Sequence, residues 1–126
     1  MEIIKSTIND KEYQFICESR STRSGFAHDV TMFVNGSLRA KNSAFYLNRT
    51  WECWRYQSAV LGALYNAKKE QLDIMKQNFM YMAGIKRMTA KRRAQFEEIA
   101  KNDPYIQELD AMRDRVKELT PYNGII

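Results

Sequence analysis

The run Asp29-Val30-Thr31-Met32-Phe33-Val34-Asn35-Gly36 is β-branched and aromatic and closes on Asn-Gly. That dipeptide is a strong hairpin signal, because both central positions of a type I′ turn need positive φ. Upstream, Ser21-Thr22-Arg23-Ser24-Gly25 is a turn-rich cluster, and before it Tyr13, Phe15 and Cys17 alternate with Glu12, Gln14, Ile16 and Glu18. Ile3, Ile4 and Ile8 form one more short apolar run. Residues 1–47 thus predict a small antiparallel sheet of about three or four strands.

From Asn48 the period changes. Trp51, Trp54, Leu61, Leu64, Tyr65, Leu72, Met75, Phe79 and Met82 recur at threes and fours without a proline, which predicts one helix of about 30 residues over 48–83. Asn48 or Thr50 can cap it, and Glu52 suits its first turn. Gly84 ends it; Thr89 opens a second helix with Phe96 and Ile99 facing inward. Asn102-Asp103-Pro104 stops that helix and starts a third, which carries Ile106, Leu109, Met112, Val116 and Leu119 on one face. The expected architecture is α+β: a sheet, then a long helix, then a two-helix extension over 89–120.

The chain has 126 residues with a net charge of +5, one domain's worth of material with a mild bias toward acidic partners. The charge is uneven: residues 51–101 hold ten basic and five acidic side chains, whereas 102–126 hold three and five. No apolar run approaches the roughly 20 residues a membrane span needs, and Met1 to Ser6 lacks a signal peptide's basic start and apolar stretch. The expectation is a cytoplasmic protein with no membrane partner. Cys17 and Cys53 have no second Cys or His near either, so they read as buried free thiols rather than zinc ligands or a disulfide framework.

Signals for catalysis are sparse. The one histidine, His28, is followed by Asp29, and adjacent side chains on a strand point to opposite faces and cannot converge on one ion or substrate. His28 therefore reads as a satisfied polar residue near a turn, although a weak enzyme using His28 with Asp29 or Glu52 is a competing class. Ser19, Ser21, Thr22 and Ser24 flank Arg20 and Arg23 and can hold a phosphate, with a solvated hairpin loop as the simpler reading. No Walker loop, dinucleotide fingerprint, paired-cysteine motif or H-E-x-x-H is present. The chain reads as non-enzymatic, with no cofactor and no metal.

Binding signals are stronger. Lys86-Arg87-Met88-Thr89-Ala90-Lys91-Arg92-Arg93 packs five basic residues into eight positions with no acid, at a junction where they can meet phosphates or an acidic protein surface. Basic residues at a helix start oppose the dipole, which favours a reason beyond stability. Arg20, Arg23, Arg39, Lys41 and Arg49 interleave with Phe26, Phe33, Phe45 and Tyr46. That combination can hold single-stranded nucleic acid, but the aromatics are expected mainly in the core. Met75, Phe79, Met80, Met82 and Met88 with Tyr81 form a stripe that must pack on the later helices or on a second copy, so a homodimer through the long helix is a further expectation.

The segment Tyr46-Leu47-Asn48-Arg49-Thr50-Trp51-Glu52-Cys53-Trp54-Arg55-Tyr56-Gln57-Ser58, preceded by Thr22-Arg23-Ser24-Gly25-Phe26-Ala27-His28, resembles a pattern in small uncharacterised proteins of phages and mobile elements of Gram-positive bacteria. The resemblance covers about residues 12–65. It implies an accessory protein acting on nucleic-acid machinery, a setting in which anti-CRISPR inhibitors of host nucleases are a prominent class. Within the motif, Asn48 reads as a cap and Trp51 and Trp54 as facing the sheet. Arg49, Glu52 and Arg55 are the members expected to be exposed and functional. The expected function is binding and inhibition of a host nuclease or nucleoprotein complex, with direct DNA or RNA binding through Lys86, Arg87, Lys91, Arg92 and Arg93 as the alternative.

Overall fold

The computed structural model describes residues 1–46 and 56–118. Four strands, β1 (Glu2–Ile8), β2 (Lys11–Thr22), β3 (Gly25–Val34) and β4 (Ser37–Tyr46), form an antiparallel meander in the order β1-β2-β3-β4. Three helices follow: α1 (Gln57–Ala83), α2 (Ala90–Lys101) and α3 (Pro104–Lys117). The expected α+β class holds. Asn35 and Gly36 adopt φ of 49° and 81°, as a type I′ turn requires. Asn9 and Asp10, at 51° and 62°, make a second tight turn of the same sign, which Asn and Asp tolerate better than other non-glycine residues.

Register assigns the faces. Ile4, Phe15, Met32 and Ala40 lie in one cross-strand row, with Tyr13 beside Val34 and Cys17 beside Val30. All of these except half-buried Ala40 are fully buried. One face of the sheet is therefore the core. Phe33 and Phe45 fall on the opposite face, and Phe45 stays 67% exposed. Phe26 and Tyr46 share the inner row but are only half-buried, and Phe33 and Phe45 lie on the outer face, so none of the four aromatics expected in the core belongs to its buried cluster.

Two helices cover the inner face. α1 lies on it through Ala59, Val60, Ala63 and Ala67 together with Leu64, the one member of the larger stripe anticipated from Leu61 to Met82 that is fully buried. Close approach of helix and sheet demands the small residues. Asn42 on β4 donates its side-chain amide to the Ala59 carbonyl at 3.1 Å, and a Cβ on Gly62 would collide with the same Asn42 amide. Leu61 and Leu72 instead turn toward α3, sharing a cleft of about 310 Å³ with Leu64 and Leu109, while Phe79 meets Phe96 of α2 at 5.7 Å between ring centroids. Leu61, Leu72 and Phe79 thus face the later helices, whereas Tyr65, Ile74, Tyr81 and Met82 remain exposed.

Two expectations are corrected here, for α3 and for Ile99. α1 is described from Gln57, with the Val60 N–H bonded to the Tyr56 carbonyl, and the expected start at Asn48 lies outside the described residues. Asn48, Thr50, Trp51, Glu52 and Trp54 lie outside the described residues, as do Leu119 and the tail beyond it. α3 is not part of an extension: Leu109, Met112 and Val116 belong to the main core, and Arg115 reaches Ser6 and the Thr7 carbonyl on β1. In α2, Phe96 and Ala100 are buried, four residues apart on one face, and Ile99 is left 51% exposed. Among the described residues, α2 and the part of α1 beyond Ala67 contribute nothing to the main core cluster and form an arm.

Candidate nucleic-acid interface

The arm's length follows from α1. Ile74 shares a pocket with Leu38 and Arg39 of the β3–β4 hairpin. The stretch from Ile74 to Gly84 then carries the helix about 15 Å further, at 1.5 Å per residue. Its end is fixed by a Schellman motif. Gly84 sits in the left-handed region at φ 65°, donating to the Tyr81 carbonyl at 3.2 Å, and Ile85 donates to the Met80 carbonyl at 3.1 Å. Thr89 caps α2, its hydroxyl accepting from the Arg92 N–H at 3.2 Å. The Phe79–Phe96 contact holds the two helices of the arm together. The segment between them is therefore tied at both ends.

Lys86, Arg87, Lys91 and Arg93 are all exposed on this tip, and none is ion-paired among the described residues. Arg92 differs: it is half-buried and donates to the Gln95 side chain at 3.2 Å. Lys86 and Arg87 follow the negative end of the α1 dipole and complement it. Lys91, Arg92 and Arg93 occupy the positive end of α2, whose first turn has no acid, each at a cost of about 0.3–1 kcal/mol. The tip concentrates unneutralised charge where folding alone disfavours it.

Elsewhere several cations are engaged, whereas Arg39 and Lys41 on β4 are exposed with no ion pair among the described residues. Arg20 lies over the Phe45 ring at 5.7 Å and bridges Asp29 at 2.8 Å. The Ser43 hydroxyl, hydrogen-bonded to Asp29, and the Arg20 guanidinium hold that carboxyl below its ordinary range. Lys68 and Arg113 share Asp110 at 2.8 and 3.4 Å on the rim of the α1–α3 cleft. Arg23, exposed, sits in the β2–β3 turn. That end of the sheet is where α1 starts, since Tyr56 stacks near His28 at 5.0 Å and hydrogen-bonds Ser19 at 2.9 Å. The length of α1, about 40 Å, thus separates Arg20 and Arg23 from the tip, and the basic residues singled out in the sequence do not form one patch. Arg49, Glu52 and Arg55 lie outside the described residues.

The other candidate groups occupy structural positions. His28 is buried between the rings of Tyr46 and Tyr56 at 4.9 and 5.0 Å, in the body of β3 rather than near a turn. Asp29 points to the opposite face, as strand geometry requires. Cys17 is a buried free thiol that burial, aided by the Glu2 carboxylate, pushes up to about 12; Cys53 lies outside the described residues. Among the described residues no group of three or more His, Cys, Asp or Glu converges as metal ligands, and no helix is long and apolar enough to cross a membrane.

Two features escaped the sequence reading. Glu108 is buried on α3, accepting from the Tyr13 hydroxyl at 2.5 Å and bridging Lys11 at 3.4 Å. Burial and this bond push the Tyr13 phenol well above its ordinary value. The helical spacing Tyr105, Glu108, Met112, Val116 already marks Glu108 as inward-facing. Tyr81, expected with the methionine stripe to pack on the later helices or on a second copy, is instead 85% exposed in the last turn of α1, five residues before Lys86. Comparison of the chain with protein-family models, with curated proteins and with solved structures finds no match.

Proposed function

We propose that this chain is a non-enzymatic binding protein that grips the phosphate backbone of nucleic acid through the tip of its arm. The observation that carries the reading is the set of four exposed, unpaired cations, Lys86, Arg87, Lys91 and Arg93, two of them in the first turn of a helix whose dipole opposes them. The exposed backbone N–H groups of a helix start add to the attraction for phosphate. In the setting implied by the resemblance, an accessory protein of a phage or mobile element, the phosphates at hand include the guide and target strands of a host defence nuclease in the cytoplasm. Inhibition of such a CRISPR-type effector is the form the activity takes there.

The test is fluorescence anisotropy of labelled single-stranded DNA, duplex DNA and RNA. Replacing Lys86, Arg87, Lys91 and Arg93 together by Ala is expected to weaken binding about a hundredfold. Arg92→Ala and the paired change Arg20→Ala with Arg23→Ala are expected to leave it within a few-fold. Equal losses in all three variants would mean that no particular surface binds. A cleavage assay with a host effector extends the test: inhibition surviving in the four-residue variant would assign it to another surface.

A further inference from the structure

We infer that the tip selects single-stranded nucleic acid, with an unpaired base stacking on Tyr81 while the neighbouring cations hold the phosphates; this rests on the preceding reading of the tip. Tyr81 lies two residues beyond Phe79, about 200° around the helix, so it faces away from the side on which Phe79 meets α2. Its ring is 85% exposed. Among the described residues, nothing bonds to or stacks on this side chain.

Its position is nonetheless fixed relative to the cations. The Tyr81 carbonyl accepts from Gly84, and Ile85 is bonded back to Met80, so Lys86 starts one residue, about 3.8 Å, beyond a backbone anchored beside Tyr81. A strand whose phosphates meet Lys86 and Arg87 therefore brings its bases within reach of the ring. Stacking on an aromatic is tolerant of base identity, because every base has a π-face. A duplex offers the same phosphates but keeps its bases paired and stacked, so Tyr81 adds nothing to duplex binding. RNA and DNA share the relevant chemistry.

The experiment is anisotropy at one low salt concentration with three probes, short labelled oligo(dT), oligo(U) and a mixed-sequence duplex, and three proteins, wild type, Tyr81→Ala and Tyr81→Phe. Tyr81→Ala is expected to weaken both single-stranded probes about tenfold and to leave the duplex unchanged, while Tyr81→Phe, which keeps the ring, binds like wild type. A loss confined to oligo(U) or to oligo(dT) supports the inference and assigns the ligand to that polymer. Since the side chain is exposed, the Tyr81→Ala variant should melt with wild type. Unchanged single-strand affinity in Tyr81→Ala, or an equal loss on the duplex, overturns the role of Tyr81 and leaves the cationic tip standing. If wild type binds none of the three probes, the tip reading itself fails.

Discussion

Asn42 and Gly62 show how much one contact sets in this fold. Gly in mid-helix costs about 1 kcal/mol relative to Ala, yet Gly62→Ala is expected to destabilise by about 1–2 kcal/mol, because the new Cβ would drive the Asn42 amide off the Ala59 carbonyl. In an Asn42→Ala background the same change should be neutral or stabilising, and urea unfolding of the four proteins in the cycle checks it. A second residue-scale prediction concerns Cys17. Its thiol is raised from 9.0 to about 12 in the folded chain, so the folded state prefers the protonated form. The stability this contributes is fully present below pH 9 and is lost as the pH rises toward 12. Tyr13 and Tyr105, both raised chiefly by burial, act in the same direction at higher pH. The urea midpoint should fall through this range, with a smaller fall in Cys17→Ala; a midpoint that rises with pH contradicts the assignment.

Among the elements, α2 carries the strongest sign that something beyond folding shaped the chain. Lys91 and Arg93 sit in its first turn without a compensating acid. Replacing both with Glu is expected to stabilise the protein by about 1 kcal/mol, raising Tm by a few degrees, while nucleic-acid affinity collapses. Thermal melting and anisotropy on the same preparation check this. The opposed signs matter, since a residue kept only for folding would lower Tm and binding together. The element scale is also where the sequence was read best and worst. Period-two alternation, Asn35-Gly36 and the Thr89 and Asp103 caps made the strands and the two shorter helices legible, because each signal is local. The contact face of α1 was mostly not legible. A helix pressed close to a sheet needs small residues at the contact, so Ala59, Ala63 and Ala67 mark it alongside Val60 and Leu64, and of these the apolar period pointed only to Leu64.

At the scale of the whole molecule, the meander and the overhang of α1 decide which charges can act together. Sequence order brought Lys86 to Arg93 into view as one cluster, and the turn between α1 and α2 keeps them so. It could not show that Arg20 is occupied by Asp29, or that the length of α1 separates it from the tip. It also could not show that α3 returns to the core, because that depends on the long-range pairing of Tyr13 with Glu108 and of Arg115 with β1. The result is a body in which Lys11, Arg20, Lys68 and Arg113 are ion-paired and an arm tip whose clustered cations are not, among the described residues. The most direct test is the salt dependence of single-strand affinity for wild type and for the variant lacking Lys86, Arg87, Lys91 and Arg93. Four phosphate contacts predict a slope of log K against log salt of about −3 in wild type and near zero in the variant. A variant that keeps the wild-type slope would contradict the account.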